Sequence, residues 1–334
     1  MESCQAILTR YLAVEQHEVF RNKLVGTLVN FGAWFTSLQS PDAGRWLTLC
    51  PKKPEFKFVN ADYEISIRRR LFLPIPRIIP GTLCNCNLTP KVRLDLLGHH
   101  LVSACGIKKL VSHQHDEVAN TIGGMASFCG FRNLREELAC FKEADPDNNK
   151  RPDLSILRPP RMEEIVVVEG RDPKLILDVQ ITNPVPGSKK GVFLGMSLGA
   201  SRKEGLAAGK AFNAKNRKYK GIASENGLSF LPLIFETTGR PHDKVMEFVK
   251  KLAHNAEEIK RIDKSIIYAY VMNRLSCTLQ KSIAHTIITR MNGINCRTTL
   301  AAGGQHSDTF VSTHESRTFP FGWTQWTSRL DVFR

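Results

Sequence analysis

The chain has no apolar run approaching the roughly 20 residues that span a bilayer, so no membrane helix is expected. Its first ten residues, Met1 to Arg10, lack the basic-then-apolar layout of a secretory signal, which argues against export. Cysteine is sparse and odd in number, nine in 334 residues, and its spacing traces no disulfide framework. A reducing interior, cytosolic or nuclear, follows, and clustered cysteines there read as metal ligands rather than bridges. Internal repeats are absent as well. Acid is the remaining shortage: 32 Asp and Glu against 47 Lys and Arg leave a formal charge of +15. That excess fits a polyanionic partner, most simply nucleic acid, DNA first and RNA second.

The length is enough for one large or two medium domains. Apolar residues at helical spacing (Leu8, Leu12, Val19, Leu24, Leu28) predict helix within 5–38, and Pro41, Gly44, Pro51 and Pro54 break 40–60 into loop. A helix at 61–72 ends on Arg68, Arg69 and Arg70, where cations favour the helix dipole, and Pro74, Pro76 and Pro80 stop it. Further helices are expected at 115–128, 200–220, 243–262 and 264–291, with strands at 153–158, 164–169, 174–182 and 228–237. Strands alternating with helices give an α/β core at about 106–240. The Gly-, Ser- and Thr-rich stretch 301–334 reads as a flexible tail.

Cys84-Asn-Cys86 and His100-x4-Cys105 offer three thiolates and an imidazole, the ligand count of a closed, structural Zn²⁺ site. The Cys-x-Cys half is tighter than usual, and His99 competes with His100. The bland alternative is a set of core cysteines with histidines on a surface turn.

Asp153 and Asp178 each sit on an apolar strand, where a carboxylate is costly unless paired, hydrogen-bonded or bound to metal. If their strands pair, both can face one Mg²⁺. Otherwise Asp153 caps a turn and Asp178 pairs with a lysine, the reading the residues alone favour. Lys215 and Tyr219, four apart, share one helix face. From Ser188 to Lys220 nine Lys/Arg face one acid, Glu204, for a local charge of 9 − 1 = +8. Lys189, Lys190, Arg202, Lys203, Lys210, Arg217 and Lys220 form either a solvated basic face or a phosphate-contacting one.

In their order these pieces resemble the C-terminal part of non-LTR retrotransposon proteins of the restriction-like endonuclease type. Cys84, Cys86, His100 and Cys105 are similar to that family's CCHC zinc knuckle. His115-Asp-Glu-Val118 is similar to its RHN-x-I helix start, Lys150-Arg-Pro-Asp153-Leu to its KPDI strand, Asp178-Val-Gln180 to its DVQ, and Lys215-Asn-Arg-Lys-Tyr219 to its lysine-tyrosine helix. The likeness covers about 84–240.

The resemblance implies a PD-(D/E)xK core, a mixed sheet flanked by helices, that hydrolyses DNA phosphodiesters with Mg²⁺ or Mn²⁺ behind a structural zinc. Asp153 and Asp178 would hold the catalytic metal. Gln180 occupies the position where such sites usually carry a lysine, which points to Lys215, then Lys218, beside Tyr219. Glu117 would be the helix carboxylate near the metal. Two departures stand out: Gln114 where the family has arginine, and a longer stretch between Asp153 and Asp178. The alternative reading is an inactive nucleic-acid-binding module of the same origin. No Tyr/Phe-x-Asp-Asp is present, so no polymerase activity is expected, and the chain reads as a fragment, a separated module or a domesticated remnant. Five segments follow: helical 1–80, knuckle-like 81–110, nuclease core 111–240, C-terminal helices 241–300 and tail 301–334, in an intracellular, nuclear protein.

Overall fold

Along the strand Lys174–Thr182, buried Leu175, Leu177 and Val179 alternate with Ile176, Asp178 and Gln180, the period of two that gives a strand two faces. This strand is the axis of a computed structural model that describes residues 29–76, 78–79, 82–84, 86, 92–103, 105, 108–135, 152–160, 162, 165, 169, 173–185 and 192–301. The chain divides into two compact units, Met1–Asn295 and Cys296–Arg334, and all that follows concerns the first.

Among the described residues one mixed sheet is found. β1 (Arg132–Arg135), β2 (Leu154–Leu157), β3 (Lys174–Thr182) and β4 (Ser229–Glu236) lie side by side in chain order. β1 and β2 pair antiparallel, as do β2 and β3. β3 and β4 run parallel, which needs a crossover. Two helices supply it, α5 (Val192–Arg202) and α6 (Leu206–Glu225). The others are α1 (Val29–Leu38), α2 (Asn60–Arg70), the short α3 (His99–Ser103), α4 (Lys108–Phe128), α7 (Asp243–Lys260) and α8 (Lys264–Ala301).

The two sheet faces bury different partners. Leu154, Ile156, Leu175, Leu177, Leu231 and Leu233 pack with Val118, Ile122 and Met125 of α4, Phe248 and Leu252 of α7, and Leu279 and Ile283 of α8. Burying each such side chain fully contributes about 1.5–3 kcal/mol before the entropy of ordering it. On the opposite face Ile176 and Phe230 meet Ala223 and Tyr219 of α6. α4 approaches β2 closely because Gly123 has no side chain: a Cβ there would stand 3.0 Å from Leu154 Cδ2. Pro232, which donates no ladder hydrogen bond, sits on β4 at the sheet margin, as proline must.

Beyond β4 the chain folds back along that margin: His242 N–H donates to Ile234 O at 2.9 Å and Glu236 N–H to Arg240 O at 2.7 Å. Glu236 is buried; its Oε1 accepts the Ala208 N–H at 3.0 Å and its Oε2 accepts the Ser37 hydroxyl. A carboxylate on the first turn of α6 satisfies an orphan donor and suits the positive end of the helix dipole. It thereby ties α6 to the end of β4.

Several expectations need adjustment. The basic 200–220 segment is two helices, α5 and α6, separated by Gly205 at φ +63. α4 begins before His115, and β1 was not expected, since Arg132-Asn-Leu-Arg135 has little strand character. The 40–60 loop holds two 3-10 turns, Arg45–Leu47 and Pro54–Phe56. Of the strand expected at 164–169 only Ile165 and Glu169 are described, and neither is extended into a ladder. The helix expected from residue 5 and the tail after Ala301 lie outside the described residues, apart from α1. Among the described residues no helix is long and apolar enough to cross a membrane.

Gly239 closes the turn behind Glu236 at φ +105, and a Cβ there would stand 2.5 Å from the Ala43 carbonyl oxygen. Gly239→Ala is therefore expected to destabilise the protein by about 1–3 kcal/mol through the strained φ and the backbone clash. A lowered urea midpoint with an unchanged m-value is the expected readout, and an unchanged midpoint would contradict it.

Candidate functional site

The register of β2 and β3 sets Leu154 opposite Leu177, so one residue further Asp153 stands opposite Asp178. Like charges directly across a ladder repel. The surroundings answer that repulsion with hydrogen bonds and cations. Asp153 Oδ2 accepts the Val179 N–H at 2.6 Å and lies 2.8 Å from His115 Nε2 of α4. Asp178 Oδ2 lies 2.6 Å from Lys215 Nζ of α6. The other nitrogen of His115, Nδ1, is 3.0 Å from Asp116 Oδ1. One ligand atom each from His115, Asp153 and Asp178 falls within 4.8 Å of the others, a spacing a single metal ion can bridge.

Electrostatics register the crowding. Burial raises the pKa of Asp178, Lys215 opposes that, and Asp153 adds to it. Burial lowers the pKa of His115, but the hydrogen bonds and charges of Asp153 and Asp116 outweigh it and raise the imidazole to about 9. His115 beside Asp153 and Lys215 beside Asp178 offset the charge of the two adjacent carboxylates.

The remaining sequence-selected residues distribute around this cluster. Lys215 and Tyr219 do share the inward, half-buried face of α6. The Tyr219 ring lies tilted against Phe230, centroids 5.6 Å apart, with Lys215 and Lys218 Nζ 5.7 Å and 5.1 Å from its centroid. Gln180 lies two residues beyond Asp178 on the same face of β3. Lys210, Arg217, Lys218 and Lys220 are exposed along the outer face of α6, and Arg202 and Lys203 at the end of α5. Lys189 and Lys190 fall outside the described residues. Glu117 is not a member of the His115–Asp153–Asp178 group; α4 places the imidazole of His115 there instead. His115 was the residue sequence reasoning passed over, although the likeness of His115-Asp-Glu-Val118 to the RHN-x-I motif was the available signal.

The second cluster is the cysteine–histidine segment. A short antiparallel bridge closes the loop after its first half: Cys84 N–H donates to Val92 O and Leu94 N–H to Thr82 O, each at 2.8 Å. Asp95 then accepts the backbone N–H groups of Leu97, His99 and His100 at 3.0–3.2 Å, which caps α3 and sets His100. Arg69, buried and stacked 4.9 Å over the Trp34 ring, donates to Leu97 O at 2.8 Å from α2. Both histidines are buried rather than on a surface turn. His99 faces Trp34, with ring centroids 5.3 Å apart, and His100 joins the cysteines.

The four ligand atoms of Cys84, Cys86, His100 and Cys105 lie within 4.8 Å of one another. Cys84 Sγ to Cys105 Sγ is 3.7 Å and Cys86 Sγ to His100 Nε2 is 3.5 Å. The edges of a zinc tetrahedron with ordinary bond lengths are about 3.8 Å for two sulfurs and about 3.5 Å for sulfur and nitrogen. The cluster could bind a metal such as zinc. Three thiolates and a neutral imidazole around Zn²⁺ carry a net charge of −1. The buried guanidinium of Arg290 on α8 offers compensation: burial lowers its pKa, while Cys105, Cys84 and Cys86 raise it. Cys84, Cys86, Leu101 and Cys105 also belong to the main hydrophobic core, so the segment is built into the fold.

No family model matches the chain. Over 219 residues it is 23% identical to the retrotransposable element SLACS 132 kDa protein of Trypanosoma brucei gambiense, a match covering 65% of this chain and 16% of that protein. The chain therefore spans a small part of that relative's length. The likeness supports a retrotransposon origin.

Two measurements test the site as drawn. The first is metal content: the purified chain should carry one zinc, and Co²⁺ in its place should show the intense thiolate-to-metal and d–d bands of a tetrahedral thiolate site. Cys105→Ser should abolish those bands and lower Tm; stable, metal-free wild-type protein would contradict the assignment. The second is the titration of His115 by NMR, with no divalent cation added beyond the zinc. Its midpoint should lie near 9 and return toward 6.5 in Asp153→Asn. Because the folded pKa is raised, the stability His115 contributes is complete below pH 6.5 and lost as pH rises through about 9. His115→Gln should flatten that dependence.

Proposed function

We propose that the chain is a metal-dependent endonuclease module of retroelement origin. Its core is a restriction-like PD-(D/E)xK sheet at about 111–240, behind a CCHC zinc segment at 81–110. The observation that carries this reading is the convergence of Asp153, just before β2, with Asp178 of β3 and Lys215 of α6. Two adjacent carboxylates with a lysine 2.6 Å from one of them suit phosphodiester hydrolysis better than a structural ion pair, which needs only one acid. A divalent ion bound there would polarise a phosphate oxygen and lower the pKa of a bound water.

The chain's own groups have distinct tasks. Asp153 and Asp178 hold the ion; the Val179 N–H fixes one carboxylate of the pair. Lys215 Nζ places a positive charge where a phosphate gains negative charge or an attacking water needs orienting. It reaches the site from α6, while Gln180 fills the strand position. Tyr219 braces Lys215 from one turn further along the same helix face. Outside, Lys210, Arg217, Lys218 and Lys220 form a cationic stripe beside the catalytic group, with Arg202 and Lys203 near it, and these contact the backbone of DNA. Nicking of a chromosomal target by a retroelement protein places the activity in the nucleus.

Supercoiled plasmid with Mg²⁺ or Mn²⁺ is the direct assay. Wild type should nick it, and Asp178→Ala and Lys215→Ala should each slow nicking by about 10²–10³-fold, the loss of a few kcal/mol of transition-state stabilisation. DNA retention at low salt should survive in both variants and fall steeply as salt rises. A wild-type chain that binds but does not cut would identify a vestigial binding module, and an Asp178→Ala variant that cuts as well as wild type would remove the site.

A further inference from the structure

We propose that His115 is itself a ligand of the divalent ion at Asp153 and Asp178, and that the resulting carboxylate–carboxylate–imidazole set takes Mn²⁺ in preference to Mg²⁺. The inference rests on the metal-site reading above and deepens it. His115 contributes one of the three converging donor atoms, and its Nε2 is 2.8 Å from Asp153 Oδ2. Neighbouring ligands on one ion with bonds of roughly 2.1 Å stand about 3 Å apart. The pair is thus spaced as two adjacent ligands of a single ion.

The far side of the ring supplies an independent observation. His115 Nδ1 is 3.0 Å from Asp116 Oδ1, so the Nδ1–H donates to that carboxylate. An ion taking the place of the Nε2 proton would leave the tautomer protonated at Nδ1, held by Asp116, with Nε2 facing Asp153. A carboxylate behind the imidazole is the habitual backing of a metal-bound histidine, because it orients the ring and raises its basicity. The ring is also held on a rigid element: α4 is a 21-residue helix packed closely on β2 at Gly123.

Ligand chemistry then sets the metal. Mg²⁺ takes oxygen donors and keeps most of its waters. Imidazole favours first-row transition ions, so a nitrogen in the set raises the affinity for Mn²⁺ while giving Mg²⁺ little. The competing use of the same atoms is a protonated His115 bridging Asp116 and Asp153 outside the ion's coordination sphere. That arrangement holds the carboxylate but gives no preference between the two ions.

Pulsed EPR of the zinc-saturated, full-length chain loaded with one equivalent of Mn²⁺ separates these uses without any substitution. A ligating imidazole gives a ¹⁴N modulation that changes to a ¹⁵N pattern when histidine is ¹⁵N-labelled; retained zinc, measured on the same sample, keeps His100 out of the signal. In calorimetric titrations His115→Gln should lose the nitrogen coupling and weaken Mn²⁺ binding by about 10–100-fold, with a much smaller change for Mg²⁺. Asp116→Asn should keep the coupling and weaken Mn²⁺ less. Mn²⁺ bound without nitrogen coupling, or equal losses for both ions, overturns the inference and leaves the Asp153–Asp178 site standing. No Mn²⁺ binding at all overturns both.

Discussion

Two carboxylates placed face to face across one sheet ladder constrain everything around them. Asp153 and Asp178 oppose each other because β2 and β3 share a register fixed by Leu154, Ile156, Leu175 and Leu177, all fully buried on the other side of the sheet. A slip of one residue would turn that apolar set out of the core, so the hydrophobic face holds the acids together against their repulsion. The cost is met locally by Lys215 from one side and His115 from the other.

Those two cations arrive on elements with anchors of their own. Buried Glu236 ties the first turn of α6 to the end of β4, which fixes the helix that carries Lys215 and Tyr219. α4 carries His115 and lies close on β2 through Gly123. The cysteine–histidine segment, the Asp95 cap and Arg290 of α8 belong to the same packed body, so a metal there would stabilise the core onto which the sheet packs. The two clusters offer different donors: three thiolates and an imidazole in one, two carboxylates and an imidazole in the other.

Much of this is legible in the residues. The alternation in Lys174-Leu-Ile-Leu-Asp178 marks a strand with one face buried, and Lys215 and Tyr219 four apart mark one helix face. Cys84, Cys86, His100 and Cys105 fit a four-ligand set by residue type and number. What escaped reading depended on tertiary context. β1 has almost no intrinsic strand character and is formed by pairing with β2. The choice of His100 over His99 is made by the Asp95 cap and by Trp34, which no local spacing encodes. His115 was passed over for Glu117, although it stands three residues before buried Val118 and so shares the face of α4 that packs on the sheet.

The claim on which the account turns is that Asp153 and Asp178 bind one divalent ion together. Crystals grown with Mn²⁺ and measured at the manganese edge test it most directly. The account predicts a single anomalous peak within about 2.2 Å of a carboxylate oxygen of each aspartate, with Lys215 Nζ displaced from Asp178. Full density for the two side chains, an intact Lys215–Asp178 pair and no peak between them would contradict it.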